Sequence, residues 1–278
     1  MKLRKALDRA KLAREGLVPA SLVENKKIKE IKPPKEWRPP LYSKSTRIAL
    51  NRNTVLDNRC VCIEPNSPEI DCYKVLRTKI QLITREEGWN TVMITSPRPA
   101  EGKTLTAINL ALTFSKVYNQ TVLLVDCDLR HQNVHKLLGF QSDSGLMNYL
   151  LKGQPLEELI IWPGVDKLTL ISGGQTLDNS SELIGSPQMK ILIQEMKSRY
   201  EDRYVIFDTA PLLIGDDAIA LAHYIDSIIM VVEEGRTAIK DVKKALEMLP
   251  QEKFLGFVLN RQTGALADRY YGYYKGHR

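Results

Sequence analysis

Long hydrophobic runs are missing from this sequence. Its longest apolar stretches, "SIIMVV" and "TVLLVD", span only a handful of residues, far short of the roughly 20 that a membrane-crossing helix needs, and no secretory leader is visible. Cysteine is scarce too: Cys60, Cys62, Cys72 and Cys127 are the full complement. They show no C-x-x-C spacing, and Cys127 lies inside a strand-like segment, so neither a zinc site nor a disulfide framework is suggested. We therefore expect a reduced, cytoplasmic protein. The net charge is +7, but there is no aromatic platform interleaved with the basic residues and no recognised DNA-binding motif, so no nucleic-acid partner is expected. What is present, 278 residues of which 43% are hydrophobic and 26% charged, suffices for one sizeable core.

The positive charge is concentrated at one end. Residues 1–59 hold 16 Lys+Arg against 6 Asp+Glu, whereas the remainder holds 24 against 27. Within the basic part, "IKPPKEWRPPLYSKS" carries four prolines and no periodicity, which reads as an extended linker. Ahead of it, "MKLRKALDRAKLARE" puts Leu3, Leu7 and Ala10 at helical spacing among Lys and Arg, a pattern open to a solvated tail or to docking on an acidic membrane surface or partner. The expected organisation is a basic arm with a short amphipathic helix over residues 1–67, one folded domain over 68–262, and a tail over 263–278.

From about Pro68 the pattern alternates. The helical "PEIDCYKVLRTKIQLITRE" is followed by "TVMIT", "TVLLVDCD", "KLTLISGG", "YVIFDTA", "SIIMVVEEG" and "FLGFVLNR", separated by helix-length stretches. Near-continuously apolar strands alternating with helices predict an α/β fold, a parallel sheet flanked by helices on both faces. Ligands of such sheets bind at the carboxyl ends of the strands. Polar residues fall there. The loop "SPRPAEGKT", Ser96 to Thr104, follows the first strand and opens the helix "TLTAINLALTFSKVY", so backbone N–H groups and a helix N-terminus would face a phosphate. Lys103 would neutralise β- and γ-phosphate oxygens, and Thr104 would offer its hydroxyl to Mg²⁺.

The loop nevertheless lacks a glycine, since Pro97 stands where the general G-x-x-x-x-G-K-[ST] pattern begins. Two further strands end in carboxylates: Asp126 and Asp128, two residues apart and so on one side of an extended chain, and Asp208. Singly, Gly-Lys-Thr can be a chance turn and a strand-end Asp a helix cap. Three carboxylates downstream of one phosphate loop are what a Mg²⁺-nucleotide site requires.

The segments "VMITSPRPAEGKTLTAINLA", "VLLVDCDLR" and "YVIFDTAP" resemble, in that order, the Walker A, A′ and B motifs of the bacterial tyrosine kinases of capsule and exopolysaccharide systems, the BY-kinases. Similar stretches in "YKVLRTKI", "GLMNYLL", "SELIGSPQM" and "FVLNR" extend the resemblance from about Glu69 to the C-terminus. The family's loop, T-S-x-x-P-G-E-G-K-[ST], does not insist on glycine at Pro97 and matches Pro99. It departs at Ala100, where the family prefers Gly; if φ is positive there, Ala costs about 1 kcal/mol. Two further departures are "DTAP" for D-x-P-P and the missing proline after Arg130 in "DLRHQNVH".

The resemblance implies a P-loop NTPase-like kinase that moves phosphate from ATP to tyrosine with Mg²⁺. It implies nucleotide binding by Ala100, Glu101, Gly102, Lys103, Thr104 and Leu105, with Asn260 facing the adenine, and metal binding by Thr104, Asp126 and Asp208. Catalysis would fall to Asp126, Asp128 and Lys103, with Asp126 accepting the phenol proton; Arg130 would be a phosphate partner or an ion pair. The tail "RYYGYYKGHR" would supply the autophosphorylation sites Tyr270, Tyr271, Tyr273 and Tyr274. The arrangement resembles the CpsD/CapB type: a cytoplasmic kinase, peripheral to the inner face of the plasma membrane, activated by a membrane-embedded polysaccharide co-polymerase and opposed by a cognate tyrosine phosphatase. Asp71, Lys74 and Arg77, at the steps of the family's E-x-x-R-x-x-R, imply a homo-oligomeric ring that phosphorylation dissolves. Two alternatives stay open: a MinD/ParA-like switch ATPase, whose signature lysine would fall at Arg98, and a nucleotide-binding scaffold weakened at Ala100.

Overall fold

The computed structural model describes residues 45–67, 69–176 and 180–263. The six segments rich in Val, Ile and Leu all become strands: β2 (Thr91–Thr95), β3 (Thr121–Asp126), β5 (Leu168–Ile171), β6 (Arg203–Asp208), β7 (Ser227–Glu233) and β8 (Phe254–Asn260). Two short strands, β1 (Thr46–Arg47) and β4 (Ile161–Trp162), complete a sheet of order β1-β4-β5-β3-β6-β2-β7-β8. All pairings are parallel except β4 with β5. The helices described are α1 (Arg52–Asp57), α2 (Ile70–Glu87), α3 (Lys103–Phe114), α4 (Val134–Leu138), α5 (Leu146–Lys152), α6 (Leu156–Leu159), α7 (Ser181–Ile184), α8 (Pro187–Ser198), α9 (Asp217–Ala222) and α10 (Ile239–Glu247).

The sheet is buried on both faces, which is why its central strands carry no polar alternation. Val92, Ile94, Val122, Leu124 and Ile206 point into a core with α1, α2 and α3, while Met93, Leu123, Val125, Val205 and Phe207 point into a second core with α8, α9 and α10. Each fully buried Leu or Phe contributes about 1.5–3 kcal/mol. The placement of α3 matters most for function. It is buried along nearly its whole length, so the lysine and threonine that open it are fixed against the central strands.

Residues 45–67 differ from the expected arm. Asn51 caps α1, its side chain accepting from the backbone N–H of Asn53 (3.0 Å) and Thr54 (3.2 Å). Val55, Cys60 and Cys62 are buried in the core shared with α3. Asn109 of α3 clips the segment in place, accepting from Cys62 N at 2.9 Å and donating to the Arg59 carbonyl at 3.1 Å. Folded structure thus extends upstream of residue 68. The signal was hidden because the apolar residues of "TVLDNRCVCI" are too few to show a period. The candidate amphipathic helix and the tyrosine cluster lie outside the described residues.

The charges of α2 also differ from the expected open face. Lys74 pairs with Asp71 on its own helix at 2.9 Å. Arg77 is half-buried and donates to the Thr113 carbonyl at 3.0 Å, covering a C-terminal carbonyl of α3.

Candidate active site

The loop leaving β2 turns twice through the left-handed region. Gly102 has φ 94°, and a Cβ there would stand 2.1 Å from Nδ2 of Asn260, so both backbone and space demand glycine. Ala100 has φ 66°, a left-handed conformation that favours glycine, and holding alanine there costs about 1 kcal/mol. Ala100→Gly is therefore expected to raise stability by up to about 1 kcal/mol and to leave phosphotransfer equal or faster. Urea unfolding followed by circular dichroism checks this, and a lower midpoint would remove the strain argument.

The surroundings pay for that strain. Glu101 is buried; Oε2 accepts from Arg98 N at 2.8 Å, Oε1 from the Thr237 hydroxyl at 2.6 Å, and its carbonyl from Asn260 Nδ2 at 2.9 Å. Arg98 forks onto Asp241 of α10, Nε to Oδ2 at 2.6 Å and Nη2 to Oδ1 at 3.2 Å, the bidentate geometry that guanidinium favours. Asn260, expected at the adenine, thus has its amide nitrogen engaged in bracing the loop. Thr237 and Asp241 were not singled out from sequence. Leu105 is partly buried and packs against the core that holds α3.

Beneath the loop, β3 and β6 lie side by side with Asp126 paired in register to Asp208. Asp126 is fully buried; Oδ1 accepts from Asp128 N at 3.2 Å, and Oδ2 from Asn133 N at 3.2 Å and Val134 N at 3.1 Å. Asp128 accepts from His131 N at 3.0 Å through Oδ1 and pairs with Lys103 Nζ at 2.7 Å through Oδ2. Lys103 Nζ also lies 3.7 Å from Asp208 Oδ1 and 3.2 Å from the Thr104 hydroxyl. One ammonium therefore gathers the carboxylate that ends β6 and one from the loop after β3 beneath the phosphate loop.

Burial drives the electrostatics. It pushes Asp126 up to about 8, with the Asp208 charge next in importance and the Val134 N–H opposing. It pushes Asp208 up to about 6, held back by Lys103. Burial pulls Lys103 down, but the charges of Asp208 and Asp128 outweigh it and the net shift is upward. Both oxygens of Asp208 are buried and meet no well-formed hydrogen bond among the described residues, the Lys103 ammonium and the Thr104 hydroxyl being the nearby donors that hold it down, an expensive arrangement for a carboxylate. Oxygens so placed, beside the Thr104 hydroxyl, fit a small divalent cation, which takes hard oxygen donors and few protein ligands.

Arg130 lies outside this cluster. Its Nε pairs with the buried Asp217 at 2.9 Å and approaches the Ser180 hydroxyl at 3.2 Å, so the ion-pair alternative describes its place.

Residues 90–253 match the family model described as AAA domain. Over 227 residues the chain is 34% identical to the tyrosine-protein kinase YwqD of Bacillus subtilis, covering 81% of this chain and 94% of that protein. The chain belongs to the bacterial tyrosine-protein kinases. It is also 32% identical over 200 residues to the tyrosine-protein kinase CpsD of Streptococcus agalactiae, with 70% of this kinase and 83% of that one covered. The solved kinase domain of the Escherichia coli tyrosine kinase ETK superposes with a TM-score of 0.68 at 26% identity, covering 82% of the present kinase and 93% of that domain. The kinase accordingly carries a nucleotide-binding P-loop domain. Among its described residues no helix is long and apolar enough to cross a membrane.

Proposed function

We propose that this kinase uses ATP and Mg²⁺ to phosphorylate Tyr270, Tyr271, Tyr273 and Tyr274 of a neighbouring copy of itself, and that this cycle regulates capsule or exopolysaccharide polymerisation and export. The observation that carries the reading is the single ammonium of Lys103 set between Asp128 and Asp208 at the mouth of a phosphate loop. Positioning and charge neutralisation supply most of the rate in phosphoryl transfer. Loop backbone and Lys103 would hold the β- and γ-phosphates, Lys103 leaving its carboxylates for phosphate oxygens. Thr104, Asp126 and Asp208 would hold Mg²⁺, which when bound would supply positive charge against the negative charge developing on the phosphate. A phenol of pKa about 10 is a weak nucleophile at neutral pH, and Asp126, made more basic than an ordinary carboxylate by burial, would take its proton when ionised, a form that a bound cation would favour. Asp128 would hold Lys103 in place until the phosphates arrive.

A membrane-embedded co-polymerase is the proposed activator, a tyrosine phosphatase the proposed antagonist, and the inner face of the plasma membrane the proposed place of work, with the basic residues upstream of residue 45 contributing roughly 1 kcal/mol per Lys or Arg near anionic lipid. Against the switch-ATPase alternative stands Arg98, at the signature-lysine position, because its guanidinium is spent on Asp241 of its own chain. The deciding experiment incubates the purified chain with Mg²⁺-ATP and the cytoplasmic end of the activator and maps phosphotyrosine by mass spectrometry. Phosphate on the tail tyrosines is expected; ATP hydrolysis without phosphotyrosine would favour the switch.

Self-association in a ring is part of this proposal, and the placement of Arg77 changes how to test it. Arg77→Ala would also strip a cover from α3, so Lys74→Glu, at a half-buried position paired on its own helix, is the cleaner probe. It is expected to lower the association state of phosphatase-treated protein in light scattering and to slow trans phosphorylation. An unchanged mass at every concentration would exclude α2 from the interface.

A further inference from the structure

The loop that wraps the catalytic carboxylates has a second face. Its backbone N–H groups at His131, Asn133 and Val134 hold Asp128 and Asp126, while its side chains line a cavity of about 480 Å³, a size typical of small-ligand sites. Arg130, His131, His135 and Lys136 border it against one carboxylate, Asp143. The Arg130 charge is answered by Asp217, so Lys136 and the two imidazoles set the character of the rim. Burial, and after it the charge of Lys136, hold His135 below its ordinary value, a repulsion that a bound anion would relieve. Deeper in, Gln132 is 3% exposed and donates to the Gln175 carbonyl at 3.3 Å, yet among the described residues its Oε1 is buried without a partner, as is Nδ1 of His135. An orphaned amide oxygen in a native interior calls for a donor, and a phosphate has none to give, whereas a peptide N–H does.

We propose that this cavity binds phosphotyrosine within a peptide, the product of the adjoining transfer site, and retains a partly phosphorylated tail while its next tyrosine is presented. Lys136 and the ring N–H groups of the two imidazoles receive the phosphate, which carries up to about two negative charges, and Gln132 Oε1 accepts a backbone N–H of the same segment. The tail suits such handling because its tyrosines come as two adjacent pairs separated by Gly272. Unphosphorylated, "RYYGYYKGHR" is basic and repelled by the rim; each transfer makes it a better ligand. The choice of ligand rests on the kinase reading above; the cavity and its orphaned groups do not.

The test uses the phosphatase-treated full chain saturated with Mg²⁺-ADP, so that the phosphate loop is filled. The tail peptide RYYGYYKGHR is titrated calorimetrically with and without phosphate on its second tyrosine. The phosphorylated peptide is expected to bind at least tenfold more tightly, and Lys136→Glu or, separately, His131→Glu to erase the preference. Equal affinity for the two peptides, or a preference that survives both substitutions, overturns the proposal. In active preparations, intact-mass analysis of early tails is expected to show a higher ratio of singly to multiply phosphorylated chains for Lys136→Glu than for wild type, and an equal ratio counts against it. If the chain makes no phosphotyrosine at all, the calorimetric result still decides.

Discussion

Lys103→Met is expected to lose ATP binding and phosphotyrosine together, and to lose more stability at pH 8 than at pH 6. The first effect follows from removing the cation that, among the described residues, stands alone between Asp128 and Asp208. The second follows from what stays behind. Breaking a buried pair by deleting one partner typically costs about 3–5 kcal/mol, because the other charge is left uncompensated. Asp126 and Asp208 already stand above the ordinary carboxylate value of 3.8 in the folded chain. Groups raised in this way stabilise the fold below that value and withdraw the contribution as pH rises, here through about 6 for Asp208 and about 8 for Asp126. Lys103 holds Asp208 down; without it Asp208 rises further, the folded state binds more protons, and the variant loses stability more steeply with pH. Urea midpoints at pH 6, 7 and 8, measured without nucleotide or metal, are expected to show the gap from wild type widening. A gap independent of pH would mean that Lys103 does not govern the acidic cluster, and normal labelling would remove the loop from the mechanism.

The parts of this site that could be read from sequence are those whose signal is local. Gly102, Lys103 and Thr104 announce themselves by spacing, and Asp126 and Asp208 by ending apolar strands; parallel pairing of β3 with β6 then brings the two carboxylates into register. The positive φ at Ala100 was a conditional expectation that the geometry meets. What stayed hidden is what depends on distant partners. Glu101 is braced by Thr237, and Arg98 by Asp241, and no feature near either acidic or hydroxyl residue marks it as a loop support. Arg77 read as an open charge because its helical spacing is that of an exposed face; only the packing of α2 on the end of α3 turns it inward. The two short strands β1 and β4 carry too few residues to show alternation, and their pairing with each other is decided by the sheet rather than by either segment. The general lesson is physical: strand and loop identity come from side chains within a few residues, whereas the restraint that gives a loop its function comes from side chains on other elements.

Asp208→Asn and Asp126→Asn are expected to part company in stability while agreeing in activity. Asp208 is buried with two oxygens that meet no well-formed hydrogen bond among the described residues, so its ionised form is maintained against its surroundings. An amide of the same size is free of that penalty, and Lys103 keeps Asp128 as its partner. Asp208→Asn should therefore be as stable as wild type or more so at pH 8, with the advantage shrinking toward pH 5 as the native carboxyl takes up its proton. Phosphotransfer should nevertheless fall on the order of a hundredfold or more, since a hard oxygen donor has been lost at the developing charge. Asp126 behaves differently because both of its oxygens are used. They accept from three backbone N–H groups, those of Asp128, Asn133 and Val134, and an amide can satisfy only one side. In either orientation its NH₂ faces an N–H donor, leaving buried donors unpaired at about 1–3 kcal/mol each. Asp126→Asn should accordingly lose both stability and phosphotransfer, and loosen the loop over residues 128–134. Thermal midpoints measured beside initial phosphotyrosine rates separate the two cases. Near-wild-type transfer by Asp208→Asn would make that carboxylate a structural residue, and an equal loss of midpoint in both variants would show that its burial is compensated by contacts other than Lys103.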